Sequence, residues 1–243
     1  MSTTFNEELY LTNEPGRMLY HKYAEHMPII DYHCHLQPKE IYENRQFEDI
    51  GEMWLSGDHY KWRAMRTFGI EEKYITGTET TYYEKYMKFA EILPQMIGNP
   101  IYIWCALELK RFFGIDEPLN ARNADEIYKR TKAMIQEKNI TPRWCMEISN
   151  VELASTTEDP IDDLHYHIAL KEDPSLKTRI ITAFRPDKAM FLRDKEFGTY
   201  VKTLGQVAGV EIVTFKDLIG ALESRLQYFQ KVTGTTVSDD GIP

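Results

Sequence analysis

Met27-Pro28-Ile29-Ile30-Asp31-Tyr32-His33-Cys34-His35-Leu36 is the stretch on which the fold turns. It is apolar at first and ends in two histidines two residues apart. In a β-strand successive side chains alternate faces, so residues i and i+2 point the same way. A strand over residues 27–35 would project His33 and His35 together from its end and turn Cys34 away between them. Two neutral imidazoles aimed at one point supply half of a metal site. A strand whose C-terminal end carries ligands is what a (β/α)-barrel needs, because its chemistry sits at that face. A bare His-x-His also arises by chance. Here it closes an apolar run and is followed by Pro38, a break from strand to loop.

Composition narrows the classes. The chain has 243 residues, is 42% hydrophobic and carries a formal net charge of -9. That is ample for a large core. An acidic chain is a poor nucleic-acid binder, whereas a few local arginines suffice to hold a small anion. No apolar run approaches the roughly 18 residues of a membrane span. The start, MSTTFNEELYLTNEPG, has neither the basic beginning nor the apolar middle of a signal peptide. Cys34, Cys105 and Cys145 make no disulfide framework, so a reducing cytoplasm is the expected compartment.

Three regions follow from the patterning. Residues 1–37 read as a polar arm, with a short helix near Arg17–His26, leading into the first strand. Residues 38–140 read as a helical insertion. Within it Tyr82–Leu93, Ile101–Phe113 and Ala124–Lys138 carry apolar residues at three- and four-residue spacing. Asn123 is the expected cap of the last of these, with Glu126 completing a capping box. Residues 141–243 read as further βα units, ending near a fourth strand. Trp144–Ser155 and Arg179–Phe184 read as extended, and Pro160–Leu170 as a helix capped by Asp159. Thr199–Val207 and Phe215–Val232 read as helices, Gly234 ends the second, and Thr235–Ser238 begins the fourth strand. This order predicts an α/β fold with a parallel sheet, a partial (β/α) TIM-type barrel with a large helical insertion after its first strand. A full barrel takes typically about 250 residues without insertions, so only about four strands are expected here, roughly the first half of a larger barrel.

Three other places could carry chemistry. Ser56–Arg66 packs His59, Tyr60, Lys61, Arg63 and Arg66 together after Gly57, offering acid–base and anion-binding groups, or simply a solvated helix start. Arg185 follows directly on an apolar strand. It would either face a barrel's active end and grip a carboxylate, or pair with Asp187 on the surface. The acids between Glu158 and Asp163 read best as a helix N-terminus. His165 and His167, two apart on a helix, do not share a face.

Four stretches together resemble uronate isomerase, also called glucuronate isomerase, of the amidohydrolase-type metal-dependent barrels. They are DYHCHLQPKEI from Asp31, GDHYKWRAMRTFGI from Gly57, STTEDPIDDLHYH from Ser155 and ITAFRPDKAM from Ile181. The likeness runs to about residue 233 and implies isomerisation of D-glucuronate to D-fructuronate and of D-galacturonate to D-tagaturonate. It implies that His33 and His35 are metal ligands for a divalent ion, zinc. It implies that His59 and Tyr60 contact the substrate, with Tyr60 the acid–base candidate and His59 its partner. Arg185 matches an arginine that contacts the sugar acid. The family's metal-binding aspartate and a nearby arginine come from its last strand, for which this chain has no position. Where family members read Ser-Asp-His-Gly near the fourth strand, this chain reads Ser238-Asp239-Asp240-Gly241.

Two other classes remain open at this level. The same strand histidines could activate water in a metal-dependent hydrolase. A non-catalytic half-barrel would leave a strand edge that pairs with another copy, which predicts a homo-oligomer.

Overall fold

The computed structural model describes residues 8–241. The start of the expected polar arm, residues 1–7, and the terminal Ile242 and Pro243 lie outside the described residues. In chain order the elements are α1 (Glu14–Leu19), β1 (Ile29–Asp31), α2 (Pro38–Glu43), α3 (Ile50–Leu55), α4 (His59–Thr67), α5 (Tyr82–Ile92), α6 (Pro100–Phe113), α7 (Ala124–Lys138) and α8 (Pro142–Ile148). Then come β2 (Val151–Glu158), α9 (His165–Glu172), β3 (Arg179–Phe184), α10 (Asp187–Met190), α11 (Phe197–Ala208) and α12 (Phe215–Thr233). Among the described residues they form two compact units, one running up to His26 and resuming over Arg45–Cys145, the other of Met27–Asn44 with the chain from Met146 onward.

The first unit is helical. Its core takes Trp54 and Leu55 from α3, Tyr86 and Phe89 from α5, Leu109 from α6 and Ile127 from α7, all buried. Local chemistry sets the helix ends. Thr81 and Glu84 close a reciprocal capping box at the start of α5. Pro100 opens α6 at a position that needs no N–H donor, and Gly114, at φ 63°, closes it in the left-handed region. One expectation fails here. Asn123 precedes α7 but its side chain does not cap it; Asn123 Oδ1 accepts from the Asn120 N–H at 2.8 Å instead. A tight turn over residues 120–123 competes for the same amide oxygen.

The second unit is built on a parallel sheet in the order β1-β2-β3. Leu153 sits beside Ile30 and Arg179, and Thr156 beside Thr182. Both faces of a parallel sheet are ordinarily covered, and β3 is buried over five consecutive residues after its exposed first position. Phe229 of α12 is fully buried and meets Phe184 of β3 edge-on, with ring centroids 5.2 Å apart.

Four readings of this half need correction. The ladder of β1 covers only Ile29–Asp31, although the Cys34 N–H still donates to the Ser155 carbonyl at 2.8 Å, which keeps the histidine segment fastened to β2. Residues 144–148, read as extended, belong to the helix α8 (Pro142–Ile148). Pro142 occupies the first turn, and Thr141 Oγ1 accepts from the Trp144 N–H at 3.2 Å, a start signal overridden in the sequence by the apolar run. The strand then runs past Ser155 to Glu158. The helix expected from Pro160 starts at His165, because Asp159, Asp162 and Asp163 each accept a backbone N–H two residues ahead and turn the chain three times before it. The expected fourth strand is reduced, among the described residues, to one parallel bridge between Phe184 and Ser238.

Candidate active site

The histidine pair sits just beyond the C-terminal end of β1. His33 Nε2 and His35 Nε2 face each other at 3.0 Å, and the rings cross edge-on with centroids 5.1 Å apart. Cys34 lies on the opposite side, buried among Ile41, Met146 and Ala154, where burial pushes its thiol up to about 11. Alternation along the extended segment thus does what its residue types require: apolar thiol inward, imidazoles together.

The residue after β3 carries the second element. Arg185 Nε donates to Asp187 Oδ2 at 2.7 Å, and its Nη1 lies 3.1 Å from Asp239 Oδ2. The pairing with Asp187 is therefore formed, and it holds the Asp187 carboxyl below its ordinary range. Asp239 also reaches His33, with Oδ2 3.4 Å from His33 Nδ1. The backbone fixes it there. Phe184 N–H donates to the Val237 carbonyl and Asp239 N–H to the Phe184 carbonyl, so residues 237–239 run along the end of β3. Asp187 Oδ1 then accepts from the Gly241 N–H at 2.8 Å. His33, His35, Arg185 and Asp239 form one chain of contacts within this unit.

The donor set decides how well this cluster suits a divalent ion. Two bonds of about 2.0–2.1 Å at a tetrahedral angle would place two ligand nitrogens about 3.3 Å apart. The two Nε2 atoms are close to that separation and already converge. Asp239 Oδ2 is a buried carboxylate oxygen without a hydrogen bond of good geometry. It lies on the Nδ1 edge of His33, away from the point where the Nε2 atoms meet. Among the described residues no group of three or more His, Cys, Asp or Glu side chains converges. The pair therefore fits as the nitrogen half of a metal site, and a catalytic zinc ordinarily takes three protein ligands.

His59 and Tyr60 lie in the helical unit, on the first turn of α4. Asp58 caps that helix, accepting from the Tyr60 and Lys61 N–H groups at 2.9 and 3.1 Å through one oxygen and binding Lys61 Nζ at 2.7 Å through the other. The His59 and Tyr60 rings stack with centroids 4.4 Å apart, and the Arg63 guanidinium lies 5.5 Å from the Tyr60 ring centre. Tyr60 remains 49% exposed.

A buried network beneath the sheet escaped the sequence reading. Thr156 and Thr182 donate to Glu158, and His167 Nε2 lies 2.9 Å from Thr156 Oγ1. Burial raises the Glu158 carboxyl to about 7 and lowers His167 to about 4. Thr156 and Glu158, two apart on a strand, share a face; that spacing was the available signal. A cavity of about 290 Å³ opens beside them, lined by Lys39, Glu158, Asp162, His165 and His167 among others. His33 and His35 are not among its lining residues. Across α9 His167 is buried and His165 exposed, as their spacing requires.

The glucuronate isomerase family model matches residues 1–243. A uronate isomerase of Caldicellulosiruptor bescii is 48% identical over 242 residues, covering 100% of this chain and 51% of that protein. One from Clostridium perfringens is 46% identical, covering 100% and 52%. A solved uronate isomerase from Thermotoga maritima superposes with a TM-score of 0.88 at 33% identity, over 97% of this chain and 51% of that one. For a glucuronate isomerase from Caulobacter crescentus the values are 0.87 and 27%, over 98% and 52%. The chain spans about half the length of the curated relatives it matches. By the end-to-end match, it belongs to the glucuronate isomerase family.

Proposed function

We propose that this chain carries part of the active site of a hexuronate isomerase, interconverting D-glucuronate with D-fructuronate and D-galacturonate with D-tagaturonate. Its parallel sheet is read as the first strands of a (β/α)-barrel, with the helical unit inserted after β1. The observation that carries the proposal is the convergence of His33 and His35 at 3.0 Å beyond the end of β1, in a chain of this family.

The reaction moves the C2 hydroxyl proton to the C1 oxygen, making the C2 carbonyl and the C1 hydroxyl, and moves a proton between C2 and C1 of an open-chain uronate. In this reading His33 and His35 hold a divalent ion, zinc, which when bound supplies Lewis-acid polarisation of the sugar's carbonyl. Tyr60 gives and takes the proton through its phenolic oxygen, and His59, stacked on it, holds the ring in place. Arg185 offsets the charge of the sugar carboxylate, in competition with the two aspartates it already meets. A cytoplasmic enzyme acting on a small sugar acid, with copies associating through the β1 edge of the sheet, completes the reading.

The test is conversion of glucuronate and galacturonate with added zinc. The chain is assayed alone and mixed with the remaining half of the Caldicellulosiruptor bescii relative, beside that relative intact. Turnover in either sample that disappears in His33→Ala supports the proposal. No turnover in both, with the intact relative active, overturns it.

A further inference from the structure

We infer that Asp239 is a positioning residue for His33: its carboxylate selects the Nδ1–H tautomer and so leaves the Nε2 lone pair aimed at the point where the two histidines meet. The inference rests on the metal-site reading of His33 and His35 and adds a residue to it.

The two ring nitrogens of a histidine are set by different partners, and the hydrogen bond made at one decides which is protonated. Asp239 Oδ2 stands 3.4 Å from His33 Nδ1. That is just outside the range of a made hydrogen bond, about 2.7–3.2 Å. An ionised carboxylate only accepts, so the neutral ring meets it with Nδ1–H. His33 Nε2 then has no proton, and the 3.0 Å contact between the rings is one in which His35 Nε2–H donates and His33 Nε2 accepts. The opposite tautomer would set a lone pair against a negative oxygen whose side of the site is closed to water. A carboxylate behind a ligating histidine is a recurrent arrangement, fixing the tautomer and the ring orientation.

Asp239 is held well enough for this task. Its N–H is tied to the Phe184 carbonyl and Ser238 Oγ donates to the same carbonyl at 3.2 Å, so the carboxylate is delivered from the end of β3. Arg185 Nη1, 3.1 Å from the same oxygen, limits its swing. Arg185, directly after β3, and His33, two residues past the end of β1, are thereby coupled through a single oxygen.

The test uses the full 243-residue chain and two readouts. The first is the nitrogen NMR pattern of His33 in the metal-free chain, assigned by its loss in His33→Gln. The second is zinc affinity, measured by competition with a chromophoric chelator. Asp239→Asn keeps the side-chain shape and Asp239→Ser removes it, while backbone pairing to Phe184 survives in both; Asp240→Asn is the neighbouring control. Expected are an Nδ1–H pattern in the parent chain, its loss in both Asp239 variants, and zinc binding weakened about 10–100-fold. An Nε2–H pattern in the parent chain, or a pattern unchanged in both variants, overturns the inference; so does unchanged zinc affinity. If the parent chain binds no zinc, the metal-site reading fails separately and the NMR pattern alone decides the role of Asp239.

Discussion

Glu158 Oε2 lies 3.5 Å from His167 Nε2, with both side chains buried between β2 and α9. Their titrations oppose each other. Glu158 is raised from 4.5 to about 7, so the folded chain keeps a proton that the unfolded chain releases, and acidification from about 7 to 4.5 stabilises the fold. His167 is lowered from 6.5 to about 4, so the unfolded chain takes up a proton that the folded chain refuses, and acidification from 6.5 to about 4 destabilises it. Between pH 4.5 and 6.5 the two cancel. Glu158→Gln is expected to uncover the histidine, losing stability relative to the parent by on the order of 2–3 kcal/mol as pH falls across that window. His167→Gln is expected to gain a similar amount over the same fall. Urea unfolding at the two ends of the window measures both; parallel pH profiles for parent and variants would refute the coupling.

In the helical unit, Tyr128 donates its hydroxyl to Asp49 Oδ2 at 2.7 Å, while Asp49 Oδ1 caps α3 through the Glu52 N–H at 3.0 Å. Both residues are buried. Tyr128→Phe preserves the edge-on packing against Tyr83 and removes only the donor, leaving a buried carboxylate oxygen short of a partner. The expected loss is about 1.5–3 kcal/mol, from a hydrogen bond to a charged group. Asp49→Ala should cost at least as much, and the double variant less than the sum. Additive losses in denaturant titrations would show that the pair is not coupled.

Arg225 of α12 is 7% exposed and has no carboxylate on its guanidinium among its hydrogen bonds. Nε donates to the Pro160 carbonyl and Nη2 to the Asp162 carbonyl, each at 2.7 Å, and the group lies 4.3 Å from the Tyr228 ring centre. It ties α12 to the turns that precede α9. Arg225→Met keeps much of the apolar stem and abandons both carbonyls, so a loss of about 2–4 kcal/mol is expected. Arg225→Lys should recover only part, because one ammonium cannot span two carbonyls as a planar fork does. Faster amide exchange confined to residues 159–165 and α12 is the accompanying signature; uniform exchange across the sheet would count against this role.

The parts of this molecule that were legible in its sequence are those decided locally. The bounds of α7 follow from apolar spacing alone, and those of α6 from Pro100 and Gly114. The meeting of His33 with His35 follows from the two-residue repeat of extended chain. Where a short polar side chain had two uses, the reading failed: Asn123 closed a turn instead of capping α7, and Asp159 turned the chain instead of starting α9. The acidic run was thus a series of turns, neither a ligand cluster nor one helix start. Long-range partners stayed hidden for a different reason. His167 meets Glu158 only once α9 packs on β2, and Asp239 meets His33 only once residues 237–239 lie along the end of β3. No local pattern encodes either distance.

Zinc offers a prediction independent of turnover. Any ligand that binds the folded chain and not the unfolded one stabilises it by mass action, about 2.7 kcal/mol at a hundredfold excess over Kd. With two imidazoles and no third convergent side chain among the described residues, this chain should bind zinc more weakly than a complete three-ligand site. A dose-dependent rise in Tm that is reversed by a chelator is therefore expected. It should be abolished in His33→Ala and in His35→Ala alike, since either change leaves a single imidazole. It should persist in His165→Ala, whose exposed ring lies elsewhere on α9 and pairs with Asp163 at 2.6 Å. A zinc-dependent rise that survives loss of both His33 and His35 would assign the ion to other residues and remove the geometric basis of the isomerase site.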